Sequence, residues 1–294
     1  MIALARQCAR FKELLFALMG RELSARYRGS MLGKLWMVLQ PLAFLGIYYV
    51  VFSNLFATKM AGDFLPATFA LAMFCGLIPW IAFSETLARG TTCVLENGNL
   101  IKKFAFPCEI LPVHLTVVSL VNACVGFLML ALGVFLLLEG QLPRWDLIWL
   151  FPIALVLQAI FTLGLVYLLG SITVYVRDVS QIMPMVITFW FFMSPIFMFA
   201  KNPGTPELMQ SVLRWNPVTY LIAIYREIFI WDPERMKKVA AHTEANNASI
   251  ALPFTEPGDV PWFEVGVFAA CAFAMLFIGL RVFQKLKPGF SDEI

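Results

Sequence analysis

Long stretches without charge, separated by short charged segments, dominate this chain. A transmembrane helix needs about 20 mostly apolar residues to cross roughly 30 Å of hydrocarbon. Five of the six charge-free stretches reach that length, and the last one, of 16 residues, is extended by apolar residues at both ends. The six stretches are 35–58, 64–84, 110–138, 147–176, 179–200 and 265–280. The pattern therefore predicts about six transmembrane helices.

The cations predict the orientation of these helices. Fourteen Lys and Arg lie in segments that six spans place on one side, and two, Lys59 and Arg144, lie in the two short loops on the other side. Loops rich in Lys and Arg remain in the cytoplasm. Both termini are therefore predicted to be cytoplasmic, in a multi-pass membrane protein.

The predicted fold class is all-α integral membrane, because open sheet edges cannot be satisfied in lipid. The transmembrane domain covers 35–283, and residues 284–294 form a cytoplasmic tail. Residues 201–261 are predicted to be extracytoplasmic; their uncharged stretch of 11 residues around Trp215–Tyr225 suits a short re-entrant or interfacial helix. The predicted spans are about 35–58, 66–94, 109–138, 147–174, 180–200 and 262–283.

Residues 1–34 are predicted to form a cytoplasmic amphipathic interface helix, over about 4–24, followed by an elbow. Apolar residues recur there at helical spacing, with charged residues on the other side. A simple topology anchor is the alternative interpretation. Glu22 and Arg26 are four residues apart, as are Glu85 and Arg89 near the end of the second span, so each couple is expected to pair along its own helix.

Composition and motifs argue against an enzyme. Hydrophobic residues make up 60% of the chain and charged residues 14%, against about 25% charged in soluble domains. Gly29–Leu35 resembles a phosphate loop, but only three residues separate its glycines and Leu follows the Lys, so we expect no ATP site. The two histidines and six cysteines show no metal-ligand spacing. We therefore predict no catalytic residues, no metal and no cofactor in this chain.

Aromatic residues repeat along the first and fifth predicted spans. Phe44, Tyr48 and Phe52 are spaced by four residues, and Phe189 and Phe192 share a face of the fifth span. Aromatic rings can stack on the apolar faces of sugars and so line a path for a glycan. The alternative is that these rings face lipid or pack against neighbouring helices.

Five motifs in order resemble the ABC-2 family of polysaccharide exporters. The resemblance is closest to O-antigen export permeases, with teichoic-acid and capsule permeases as relatives, and it extends over nearly the whole chain. The chain departs from shorter members by a polar insertion at about 232–262. The motifs are Arg21–Leu42, Asn99–Pro112, Tyr175–Val179, Ser194–Phe197, and Trp215–Tyr220 with Tyr225 and Arg226.

The resemblance implies a permease of the bacterial inner (plasma) membrane that forms a homodimer and works with two copies of a cytoplasmic ABC ATPase, which holds ATP and Mg. Its substrate would be a lipid-linked polysaccharide. Membrane lipids are the remaining partner, and no nucleic acid is expected. It implies that the interface helix and the Glu96–Pro107 loop contact the ATPase. The coupling residues are then Glu22, Arg26, Arg28, Glu96, Asn97, Lys102 and Lys103.

The resemblance also implies a pathway and an outer gate. The first and fifth spans would line the pathway, and short helices within 205–231 would form the gate. The pathway residues are then Phe44, Tyr48, Phe52, Phe189, Trp190, Phe192 and Phe197, and the gate residues are Trp215, Asn216, Pro217, Tyr220 and Arg226.

Two other function classes remain open from the residues alone. An ion-coupled secondary transporter would need acidic residues at the membrane midplane and an inverted repeat, and neither is visible in the sequence. A membrane glycosyltransferase or ligase would need a clustered acid and base outside the membrane core. Acidic residues between 232 and 259 could supply one, although a solvated acidic loop is the simpler interpretation.

Overall fold

A computed structural model describes residues 9–55, 66–98, 107–137, 143–196, 207–230 and 260–293, together with the single positions 6 and 102. The described residues contain helices, turns and no strand, which confirms the predicted all-α fold. The helices are α1 (Lys12–Tyr27), α2 (Trp36–Leu55), α3 (Pro66–Glu96), α4 (Ile110–Leu137), α5 (Leu150–Tyr175), α6 (Asp178–Phe192), α7 (Glu207–Trp215), α8 (Pro217–Phe229), α9 (Trp262–Leu286) and α10 (Phe290–Glu293).

Five of these helices, α2, α3, α4, α5 and α9, are long and apolar enough to cross a membrane. The sixth apolar helix, α6, has 15 residues and is about 22 Å long at 1.5 Å per residue. It is shorter than the predicted 180–200 span because turns occupy 193–196, where Pro195 follows Ser194. The remaining residues of that span, 197–200, lie outside the described part.

The helix α3 is the centre of the bundle. It packs against α2, α4, α5, α6 and α8, and it is buried along most of its length. Pro79 lies inside this helix, and the carbonyl oxygen of Pro79 accepts a hydrogen bond from Gln158 Nε2 of α5 at 2.9 Å. By contrast, α2 is exposed along most of its length, so one side of it has to be covered by lipid or by another chain.

The helix α1 begins at Lys12 and ends at Tyr27, three residues beyond the predicted end at 24, and residues 6, 9 and 10 before it are also helical. Residues 1–5, 7 and 8 lie outside the described part. An elbow joins α1 to α2, and Gly29 (φ 82°) and Gly33 (φ 51°) have the left-handed backbone there. Residues other than glycine rarely adopt that backbone conformation. This explains the two glycines of the segment that resembles a phosphate loop.

The helix α8 has 13 residues and is about 20 Å long, which is shorter than a membrane-spanning helix. The helix α8 enters the bundle and packs against α3, α5 and α9. The C-terminal end of α8 lies beside the start of α5, since Arg144 N–H donates to Ile228 O, and the start of α9 lies there too, since the rings of Trp149 and Trp262 are 5.6 Å apart. This arrangement is compatible with the predicted re-entrant or interfacial helix.

The closest helix pair in the bundle is α5 with α9, and two glycines permit it. A Cβ atom at Gly279 would overlap the carbonyl oxygen of Gly164, and a Cβ at Gly164 would lie 2.5 Å from the backbone of Leu276. Small residues allow this kind of close backbone approach between membrane helices. The contact holds the C-terminal span to the rest of the bundle.

We predict that Gly279→Ala destabilises the purified protein, because the added methyl forces α5 and α9 apart. Overpacking of this kind costs about 1–3 kcal/mol. The matched control is Gly266→Ala in the same helix, where a Cβ meets no atom within 4 Å. Thermal unfolding in detergent, followed by Trp fluorescence, should show a lower midpoint for Gly279→Ala and an unchanged midpoint for Gly266→Ala. Equal midpoints for Gly279→Ala and the wild type would contradict the close contact.

Candidate functional site

Four charged residues join α1 to α3 at the predicted cytoplasmic end of the bundle. Arg26 contacts both carboxylate oxygens of Glu85, at 2.5 Å and 3.1 Å, and Arg89 forms an ion pair with Glu22. We call these four residues the charged quartet. The expected pairing along each helix is therefore wrong: both pairs run between helices, where the flat guanidinium of Arg26 can meet the carboxylate of Glu85 through two parallel contacts.

One face of α1 is sheltered by the bundle, and its chemistry changes along the helix. The sheltered positions recur at helical spacing, from Phe11 through Leu14, Leu15 and Leu18 to members of the quartet. Leu18 is buried against the core. The apolar part of this face packs on α4, and the charged part faces α3. Glu22 and Arg26 thus form ion pairs within the subunit. Only the partly exposed atoms of these side chains remain available to another chain.

The other predicted coupling residues lie at the surface of the same end. Arg28, Glu96 and Lys102 are exposed. Glu96 accepts a hydrogen bond from Thr92 Oγ1 at 2.6 Å, and Asn97 Nδ2 donates to Cys93 O at 2.8 Å. Both side chains therefore bind to the last turn of α3. Lys103 lies outside the described residues.

The segment that follows the 96–107 loop is held by the C-terminal end of the chain. Lys287 Nζ lies 2.6 Å from Glu109 Oε1, and Tyr167 donates its hydroxyl hydrogen to Glu109 O at 2.6 Å. Tyr175 donates likewise to Leu286 O at 2.9 Å, and Phe290 is buried beside it. These contacts were not predicted from the sequence, although an acidic residue before α4 and a basic residue after α9 were visible signals.

At the opposite end, Asn216 connects three elements of the predicted gate. Its Oδ1 accepts hydrogen bonds from Val218 N and from Trp190 Nε1, both at 3.0 Å. Its Nδ2 donates to Met193 O at 2.9 Å and to Ser194 Oγ at 3.0 Å. Asn216 is the N-cap of α8, and Pro217 occupies the first turn, where a missing N–H costs nothing. The two motifs around Ser194 and Asn216 therefore meet in space.

Arg226 lies buried below this junction. Its Nε donates to Ala72 O at 3.0 Å, and its Nη2 donates to Ile196 O at 2.9 Å. The guanidinium therefore ties α8 to α3 and to the turn after α6. Arg226 is therefore a buried link within the predicted gate region.

The remaining gate residues lie near the surface. Trp215 is exposed, and Tyr220 donates its hydroxyl hydrogen to Arg214 O at 2.8 Å. Nearby, Arg144 approaches the buried carboxylate of Glu227 at 3.4 Å and pairs with Asp146 at 2.7 Å. The hydrogen bonds from Arg144 hold the pKa of Asp146 below its ordinary value. Sequence reasoning did not identify the Arg144–Glu227 contact, because 83 residues separate the partners.

The predicted pathway residues fall into two groups. Phe189 and Phe192 are exposed, at 65% and 64%, on an apolar stripe of α6. Trp190 lies instead in a ring cluster with Trp80, Phe83 and Phe161 inside the subunit.

On α2, the rings of Phe44 and Tyr48 stack at 6.5 Å and are half-buried against the subunit's own core. The side chain of Phe52 and all of Phe197 lie outside the described part. The structure thus places exposed rings on α6 and sheltered rings on α2.

Comparison with known proteins gives the family. Residues 13–230 match the model of the ABC-2 type transporter family. The O-antigen export system permease protein RfbA of Myxococcus xanthus is 35% identical over 295 residues, which cover all of both chains. A permease of the same name from Klebsiella pneumoniae is 24% identical over 95% of this chain and 94% of its own length. The polysialic acid transport protein KpsM of Escherichia coli is 26% identical over 72% of this chain and 79% of its own. The chain, a multi-pass bundle of apolar helices, belongs to the ABC-2 type transporter family.

Proposed function

We propose that this chain is the membrane permease subunit of an ATP-driven exporter that moves a lipid-linked polysaccharide, of the O-antigen type, across the inner membrane. The observation that carries the proposal is the 35% identity with an O-antigen export permease over the full length of both chains. A capsular polysaccharide is the second candidate, supported by the partial match to the polysialic acid transport protein.

The orientation of the proposed permease places both termini and the charged quartet in the cytoplasm. The cation asymmetry of the loops supports this, with fourteen Lys and Arg on that side against two in the short opposite loops. The re-entrant helix α8 and its links to α3 and α6 then lie at the extracytoplasmic mouth. In this orientation the mouth carries the residues that the resemblance assigns to an outer gate.

Energy would come from two copies of a separate ABC ATPase, which would hold the ATP and Mg. The exposed Arg28, Glu96 and Lys102 lie at the proposed cytoplasmic end, where such a partner would dock. We propose that α1 and the 96–107 loop together receive its movement. The charged quartet supports this role, because its two ion pairs fix α1 to α3. A displacement of α1 would therefore act directly on the central helix.

We propose a homodimer in which α6 faces the partner and the pathway. Its apolar stripe runs over Ile182, Met185, Phe189 and Phe192, at a spacing of three and four residues, and all four side chains are more than half exposed. An exposed apolar stripe of this size is suited to an internal surface of an assembly. The exposed rings of Phe189 and Phe192 could stack on sugar faces without a tight site, which suits a sliding polymer.

The function is tested by deleting the gene for this chain in its native host. We expect lipid-linked polysaccharide to be made but to accumulate on the cytoplasmic side, since the permease supplies only the crossing step. Surface labelling of intact cells, compared with total polysaccharide in lysed cells, measures this, and the wild-type gene on a plasmid is the control. Normal surface polysaccharide would contradict the proposal, and loss of synthesis would indicate a glycosyltransferase instead.

The pathway is tested by replacing Phe189 and Phe192 with Leu together. Leucine keeps the apolar character but loses the stacking face, and by analogy with base–aromatic stacking at about 1–3 kcal/mol per ring, export should fall roughly tenfold or more. The matched control replaces Phe135 and Phe273, which are exposed on α4 and α9. Export rates are compared at equal expression. Unchanged export in the Phe189/Phe192 variant would show that these rings only pack.

A further inference from the structure

A cavity of about 840 Å³ lies within one subunit, between α1, α2, α3, α4 and α6. Its size is within the range of about 300–1,000 Å³ typical of ligand sites. The residues along its wall change in order from charged to polar to apolar as the cavity extends from the α1 end into the bundle. This order makes three levels, and each level has its own chemistry.

The first level is the charged quartet at the cavity mouth. Two carboxylates and two guanidinium groups give it no net charge, and the side chains of Glu85 and Arg89 remain 31% and 43% exposed. Arg26 Nε is buried and has no hydrogen-bond partner in the part of the chain that the structure describes. The mouth therefore offers donors and acceptors side by side, including one donor that the subunit leaves unused.

The second level is Asn122 of α4. It lies three residues beyond Ser119, which lines the cavity beside the quartet, and so about 4.5 Å further along the helix axis. Both polar atoms of its amide are buried, and neither has a hydrogen-bond partner among the described residues. Buried polar groups are costly when they lack partners, so an unpaired amide on a cavity wall points to a ligand atom.

The third level is apolar. Phe44, Phe74, Ile78, Ala123 and Gly126 line the cavity beyond Asn122. No charged residue belongs to this level. It offers an environment like that of hydrocarbon, one helical turn deeper than the amide.

We propose that this cavity binds one phosphatidylethanolamine molecule, with its headgroup at the quartet and the start of an acyl chain in the apolar level. The phosphate accepts from the exposed guanidinium of Arg89, and the primary ammonium donates to Glu22 and Glu85. The side chain of Asn122 turns into the cavity, so that its amide nitrogen donates to an ester carbonyl of the glycerol. The order of charged headgroup, ester and chain in this lipid is the order of the three levels.

The chemistry of the mouth distinguishes this lipid from other amphiphiles. An anionic headgroup would leave the two carboxylates facing negative charge, and a polyprenyl phosphate has no ammonium for them and no ester carbonyl for Asn122. The bound lipid would fill the space between α2 and the core, and so hold a helix that is otherwise exposed along most of its length. The inference does not depend on which polymer is transported.

Native mass spectrometry of the purified full-length chain, in the assembly in which it purifies, tests the proposal. After delipidation, 1-palmitoyl-2-oleoyl phosphatidylethanolamine and the matching phosphatidylglycerol are added back at equal concentrations. We expect one phosphatidylethanolamine per chain, retained about tenfold better than phosphatidylglycerol. Asn122→Leu, which removes the amide at similar volume, should reduce retention at least fivefold.

Two further variants make the result specific. Ala88→Trp places a ring in the cavity from an exposed position and should displace the lipid without disturbing the core. Val121→Leu, exposed on the same helix as Asn122 but outside the cavity lining, should retain lipid like the wild type. Equal retention in all variants, no retained lipid, or preferential binding of polyprenyl phosphate or phosphatidylglycerol would overturn the proposal.

Discussion

A charged side chain at the edge of hydrocarbon is costly unless it is paired, and this constraint determines how the bundle is held at both ends. The charged quartet joins α1 to α3, and Lys287 pairs with Glu109 where α9 meets the start of α4. At the opposite end Arg144 meets Glu227. Each pair connects elements that are distant in sequence. The charges are therefore neutralised only when the helices have assembled.

The helix α3 carries contacts at both ends of the bundle. Its C-terminal half carries Glu85 and Arg89, and near its N-terminal end the Ala72 carbonyl accepts from Arg226 of the re-entrant helix. About 20 Å of helix separates Ala72 from Glu85, at 1.5 Å per residue. A movement of α1 has a direct mechanical route through α3 to the turn at Ile196, which Arg226 also holds. This continuity supports the proposed coupling of an ATPase to an outer gate.

The sequence predicted the helices well because the exclusion of charge from lipid is a strong signal. It also predicted a short re-entrant or interfacial helix, since 11 uncharged residues cannot span a membrane. The ion pairs of the quartet were predicted within each helix, but they run between α1 and α3. A spacing of four residues reveals neighbours on one helix, but it does not reveal which helix lies opposite. The length of α6 was overestimated for a related reason: the charge-free run continues past Ser194, while the helix stops where Asn216, distant in sequence, binds the turn.

Coupling through the quartet is tested most directly by exchanging one pair of charges. Arg26→Glu and Glu85→Arg are made singly and together, and ATP-driven export is measured at equal expression. The account predicts that each single variant loses most export and that the double variant regains much of it, because the exchanged carboxylate and guanidinium would again face each other while Glu22 keeps Arg89. A double variant as inactive as the single variants, or single variants with normal export, would contradict a coupling role for the contact between α1 and α3.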